Sequence, residues 1–139
     1  MKTADIVDSS AVELWPLKKK MEGSLITTGQ VFGNKGLYFN QSDAAIRGKV
    51  IAVFAGLIEL AADFGRLINV GRARGFISAG QTAAEAEKLF LETATRICDL
   101  ADKRGVTMIL EPVNRYEINF INSLDEGARL IQRSGITSM

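Results

Sequence analysis

The 139-residue chain contains no histidine. Serine–histidine–aspartate and cysteine–histidine catalysis are thereby excluded, as is any metal site that needs an imidazole from this chain. Cys98 is the single cysteine, so neither an internal disulfide framework nor a cysteine-rich zinc module is possible. Charge of one sign is not in surplus, since 17 basic against 16 acidic residues leave +1. That balance leaves no electrostatic footprint for nucleic acid or an anionic membrane, and neither is expected as a partner. The longest apolar run, residues 50–58, is nine residues and too short to span a bilayer. Lys2, Asp5, Asp8 and Glu13 interrupt the first turns of chain, so no apolar signal core is seen there. A cytoplasmic, reducing location is the expectation. What is present is ordinary for a globular protein: 47% hydrophobic and 24% charged residues, which argues against disorder.

No internal repeat, charge block or proline-rich linker divides the sequence, and residues 1–139 read as one unit. Strand and helix signals alternate from about Ser24. Leu25-Ile26-Thr27-Thr28 is a short β-prone run, and residues 30–41, with Gly33, Asn34, Gly36 and Asn40, read as a long loop. Ser42 or Asp43 starts a helix whose apolar positions are Ile46, Val50, Val53, Phe54, Leu57, Leu60, Ala61 and Phe64, with Gly65 as its stop. Leu67-Ile68-Asn69-Val70 is the next strand, followed by the basic loop Gly71-Arg72-Ala73-Arg74-Gly75. Thr82 and Glu85 have capping-box spacing before a second helix with the stripe Ala86, Leu89, Phe90, Ala94, Ile97, Leu100 and Ala101, ended by Gly105. Residues 106–110 form a strand running into Glu111-Pro112. Ser123 and Glu126 form a second box, and the third helix carries Leu124, Ala128 and Ile131 on one face, ending near Gly135. This order means parallel βαβ units. A strand over residues 11–14 is a further expectation, with a connection from Trp15 to Ser24 short for a helical crossover.

Parallel α/β folds place ligands at the carboxyl ends of their strands. Attention therefore falls on Gly29-Gln30, on residues 71–75 and on residues 111–117. Alternation puts Thr107, Ile109 and Glu111 on one face and Val106, Met108 and Leu110 on the other. The all-apolar face suits helices; the mixed face suits a barrel interior or an exposed sheet surface. Glu111 then reads as a metal ligand or a general acid/base, or else as a solvated strand-end carboxylate or one capping a helix. Asn114, Arg115, Tyr116 and Glu117 offer hydrogen bonds and a ring face to a sugar, or form an ordinary polar loop with an Arg–Glu pair. Arg72 and Arg74 read either as holding a phosphate or carboxylate, or as solvated arginines on a tight turn; the loop lacks G-x-G-x-x-G and Walker spacing. Trp15 and Phe32 read as packing residues, and Cys98 as a buried or half-buried residue with no nucleophile signal.

The run Leu110-Glu111-Pro112-Val113-Asn114-Arg115-Tyr116-Glu117, continued by Ile118-Asn119-Phe120-Ile121-Asn122, resembles a signature of the xylose isomerase-like TIM-barrel superfamily. The nearest likeness is to its sugar phosphate isomerase/epimerase branch, which includes ketose 3-epimerases. Thr28-Gly29-Gln30-Val31-Phe32, residues 43–65 and residues 71–75 are similar to earlier parts of the same pattern, and the resemblance covers roughly residues 11–135. It implies an α/β fold of parallel βα repeats from a (β/α)8 barrel. It further implies that Glu111 binds a divalent metal (Mn, Mg or Co) and moves a proton beside a carbonyl. Glu117 would contact the sugar, with Asn114 and Arg115 beside it.

A whole barrel of this kind needs about 200 to 250 residues, so the chain is expected to hold about half of one. In the family the other metal ligands are an Asp, a His and a second Glu on later strands. Two expectations follow. One is an isomerase/epimerase family member acting on a small sugar when completed by further chain or by a second copy. The other is a catalytically inactive half-barrel that only dimerises, covering its open edges. A relative of the endonuclease IV group, with His-rich zinc sites, is disfavoured by the absence of histidine and by the neutral charge.

Overall fold

The computed structural model describes residues 3–5, 25–27, 36–63 and 65–139. Among them, four strands form one sheet in the order β1 (Thr3–Asp5), β2 (Leu25–Thr27), β3 (Leu67–Val70) and β4 (Thr107–Leu110). Every neighbouring pair is parallel, and the register runs Leu25, Leu67, Thr107 across the sheet, then Ile26, Ile68, Met108. Helices α1 (Ala44–Ala62) and α2 (Ala83–Arg104) separate the later strands, and α3 (Leu124–Ser134) follows β4. Parallel neighbours taken in chain order, with helices between them, are the arrangement of half a (β/α)8 barrel.

Alternation along the strands sorts their side chains as the sequence implies. Ile68, Val70, Val106 and Met108 are buried, whereas Thr107 and Ile109 are exposed and Leu67 and Asn69 half-buried. The buried set lies in one cluster with Val50, Phe54, Leu57 and Ile58 of α1 and Phe90, Ala94 and Ile97 of α2. The opposite face carries the mixed set that leads to Glu111.

Local signals set the helix ends. Asp43 caps α1 by accepting from the Ala45 N–H at 2.8 Å. Thr82 and Glu85 make the full reciprocal box at the start of α2. Gly105 and Gly135 close α2 and α3 in the left-handed region, at φ 64° and 72°. Helix α1 stops at Ala62, before Gly65, and the left-handed residue of that turn is Arg66 at φ 56°.

The core extends to the end of the sheet where functional loops belong. Phe39, from the loop before α1, meets Phe54 edge-on at 4.9 Å and stacks on Phe90 at 5.7 Å. Phe90 in turn meets Phe120, from the loop after β4, at 5.9 Å. One α2 ring thus joins two loops at the carboxyl end of the sheet. At the outer edge of β4, the Met108 N–H donates to the Ser138 carbonyl at 2.7 Å, and Ser138 Oγ donates to the Cys98 carbonyl at 3.2 Å. The last residues of the chain therefore satisfy an edge donor that faces away from β3.

Several expectations are corrected. The buried face of α3 is Gly127 and Leu130; Leu124 is 80% exposed and Ala128 is exposed. Gly127 is the reason: a Cβ there would stand 3.5 Å from both Ile121 and Leu110, so the helix docks through a residue with no side chain to read. The second capping box is half formed, with Ser123 accepting from the Glu126 N–H while the Glu126 carboxylate takes the Ile121 and Asn122 N–H groups. Strand β1 has no counterpart among the sequence expectations, because three residues are too few to display a period of two. The expected strand over residues 11–14, Trp15 and its connection, residues 28–35 with Phe32, and Phe64 lie outside the described residues.

Candidate functional site

Glu111 lies one residue beyond β4, its N–H donating to the Val70 carbonyl at 3.2 Å. The pairing continues the strand pattern and keeps Glu111 on the face of Thr107 and Ile109. Asn69, in register with Ile109, donates from Nδ2 to Glu111 Oε2 at 2.8 Å. Gly71 leaves the space for this contact, since a Cβ there would come within 3.1 Å of the same oxygen. The carboxylate is exposed and its partner is a strand residue, not a helix amino end.

The loop after β4 is built by asparagines. Asn114 Oδ1 accepts from the Tyr116 N–H at 3.0 Å, and its Nδ2 donates to Glu117 Oε1 at 2.7 Å. Asn119 pairs with both backbone polar groups of Ile77, at 2.8 and 3.0 Å. Asn122 Nδ2 ties the Val113 and Ile118 carbonyls together at 2.8 and 2.7 Å. Arg72 donates from Nη2 to Glu117 Oε2. The Asn114 hydrogen bond, then that of Arg72 and its charge, hold the Glu117 carboxyl below its ordinary pKa.

Arg74 corrects the reading of the basic loop as solvated or anion-holding. Its side chain is fully buried. Nε donates to the Phe120 carbonyl at 2.7 Å, Nη1 to those of Gly71 and Glu111 at 2.8 and 2.9 Å, and Nη2 to that of Ile121 at 3.0 Å. Burial pushes its pKa down to about 10, against the opposing pull of Glu111 and Glu126, so it stays charged at neutral pH. A buried cation costs several kcal/mol unless it is fully hydrogen-bonded, and here carbonyl oxygens do that work. With Arg72 on Glu117, both guanidinium groups of this loop have partners.

The expected site residues thus share one end of the sheet but fall into two groups. Glu111 stands with Asn69 on the open sheet face. Glu117 stands with Asn114 and Arg72, beside a cleft of about 430 Å³ walled by Tyr38, Phe76, Arg115, Tyr116 and Ile118. Glu111 is not part of that cleft's lining. Arg115 and Tyr116 are exposed, Tyr116 by 95%. Cys98 is buried, and burial raises its thiol pKa to about 11, which suits an inert residue.

Sequence reasoning missed Asn69 and the Tyr38–Phe76 edge pair at 5.0 Å, and it singled out Arg74 for the wrong partners, anions or solvent in place of backbone carbonyls. The signal for Asn69 was a polar residue on the glutamate-bearing face of an otherwise apolar strand. For Arg74 the sequence carries no signal of burial, because the carbonyls it holds at Glu111, Phe120 and Ile121 lie 37 to 47 positions away.

The chemistry of the donor set tests the divalent metal. Among the described residues no three acidic or thiol side chains converge on a point that could hold an ion. Glu111 offers a single hard-oxygen carboxylate, and the described residues do not fit a complete Mn, Mg or Co site. Among them, too, no helix is long and apolar enough to cross a membrane.

A protein-family model described as a xylose isomerase-like TIM barrel matches residues 14–138. A search of curated proteins finds no match.

Proposed function

The chain belongs to the xylose isomerase-like TIM barrel family, and from that premise we propose that it is the carbohydrate-handling half of an isomerase/epimerase-type barrel. Its chemistry is proton transfer at the carbon next to the carbonyl of a small ketose or sugar phosphate. The observation that carries this reading is Glu111, at the carboxyl end of β4 on the open sheet face, aimed by Asn69. Glu111 removes the α-proton as a general base. Glu117, held ionised by Asn114 and Arg72, accepts hydrogen bonds from sugar hydroxyls, and Asn114 and Arg115 border the same end. Glu111 is also proposed as one ligand of a divalent cation whose remaining donors the described residues do not supply.

Returning the proton to the opposite face of the carbon needs a second acid, and none of the described contacts places one beside Glu111. Exchange of the α-proton with solvent is the partial reaction that Glu111 can carry by itself. Incubating the chain with ketoses in D2O, with and without Mn²⁺, and following the α-proton by NMR tests this. Exchange that disappears in Glu111→Gln is expected. Equal exchange in the folded wild type and the variant would remove Glu111 from its role.

A second reading is a catalytically inactive half-barrel that pairs with another copy. It is favoured by the open sheet face, where Ile109 is 37% exposed. A discrete dimer by light scattering, with no exchange of the α-proton, supports that reading.

A further inference from the structure

We propose that Arg74 is a positioning residue, whose buried guanidinium sets where the Glu117 loop stands relative to Glu111. The proposal rests on the reading above only for the roles of those two carboxylates.

The carbonyls Arg74 holds belong to three separate segments. Gly71 directly follows β3, Glu111 directly follows β4, and Phe120 and Ile121 close the loop that carries Glu117. A planar fork with five fixed N–H directions can hold such a set in one geometry, whereas an ammonium is a point charge with rotating donors. The loop end it holds is strained. Ile121 is β-branched, fully buried and at φ 57°, a backbone region that costs such a residue about 1–3 kcal/mol. The conformation persists because its carbonyl accepts from Arg74 and from the Val113 N–H at 3.3 Å, while its own N–H donates to Glu126. The Arg72–Glu117 ion pair crosses between the two loops that Arg74 joins. Any slip of one loop against the other is therefore read out at Glu117.

The test uses the whole chain and involves neither sugar nor metal, so it stands or falls apart from the isomerase reading. In ¹⁵N NMR of the wild type, the Arg74 guanidinium protons are expected as separate, slowly exchanging signals, unlike those of exposed Arg115. In a folded Arg74→Lys variant, the Glu117 carboxyl titration is expected to rise toward the ordinary glutamate range. Amide exchange at residues 117–122 is expected to quicken about tenfold, with α2 unchanged. A merely structural arginine would lower the unfolding temperature and leave the Glu117 titration where it is. An unmoved titration in folded Arg74→Lys, or wild-type guanidinium signals averaged like those of Arg115, overturns the proposal. If Arg74→Lys does not fold, the wild type is warmed below its unfolding transition. The Glu117 titration must then rise as the Arg74 signals merge, and merging without that rise also overturns the proposal.

Discussion

Phe90→Ala is expected to be the most damaging single truncation in the α2 core, and its cost follows from what the ring touches. Phe90 is fully buried, stacks on Phe39 at 5.7 Å and meets Phe120 edge-on at 5.9 Å. Truncating a buried phenylalanine costs about 3–5 kcal/mol from lost transfer energy and the residual cavity. Neither facing ring can readily collapse into the gap. The Phe39 carbonyl is held by Thr93 Oγ1 at 2.7 Å, and that of Phe120 by Arg74 Nε at 2.7 Å. The upper part of the range therefore applies, about 4 kcal/mol, against a total stability of about 5–15 kcal/mol for a domain. Phe90→Leu keeps most of the apolar volume and is expected to cost under about 1.5 kcal/mol. Urea unfolding followed by circular dichroism measures both. If Phe90→Ala lost less than about 1.5 kcal/mol, or no more than Phe90→Leu, the ring would not be the packed joint between two loops, and the cavity reasoning would be refuted.

Other expectations are more local. Gly71→Ala pushes a methyl to 3.1 Å from Glu111 Oε2, so the carboxylate must shift by a few tenths of an ångström. About a tenfold loss of α-proton exchange is expected, since displacement of about 1 Å costs about 100-fold, and an unchanged rate would separate the Glu111 position from the chemistry. Leu130→Ala is expected to destabilise by about 2–5 kcal/mol and Leu124→Ala by less than about 0.5, because Leu130 is buried and Leu124 is 80% exposed. Equal melting temperatures for the two would contradict the observed orientation of α3. Glu85 has its pKa lowered by the Thr82 backbone and hydroxyl hydrogen bonds. Its contribution is therefore full above the unfolded value of 4.5 and fades as pH falls through the lower folded one. Thr82→Ala should accordingly lower the melting temperature clearly at pH 7 and by less at acid pH, and a loss growing toward low pH would reverse the assigned sign.

What could be read from the sequence was set by near neighbours. The face of Glu111 follows from strand alternation, and the Asp43 and Thr82 caps follow from side chains reaching N–H groups two or three residues away. The parallel βα order follows from apolar runs separated by amphipathic helices. These features depend on backbone geometry that every residue shares, so spacing alone determines them.

Tertiary structure decided the rest, because it depends on groups far apart in the chain. Asn69 orients a glutamate 42 positions away, and Arg74 holds carbonyls up to 47 positions away. An arginine is by default a solvated surface residue, and only the convergence of carbonyls from three segments makes its burial tolerable. The docking face of α3 was hidden for the opposite reason. Apolar periodicity counts side chains, and Gly127 brings the helix to Leu110 and Ile121 by having none.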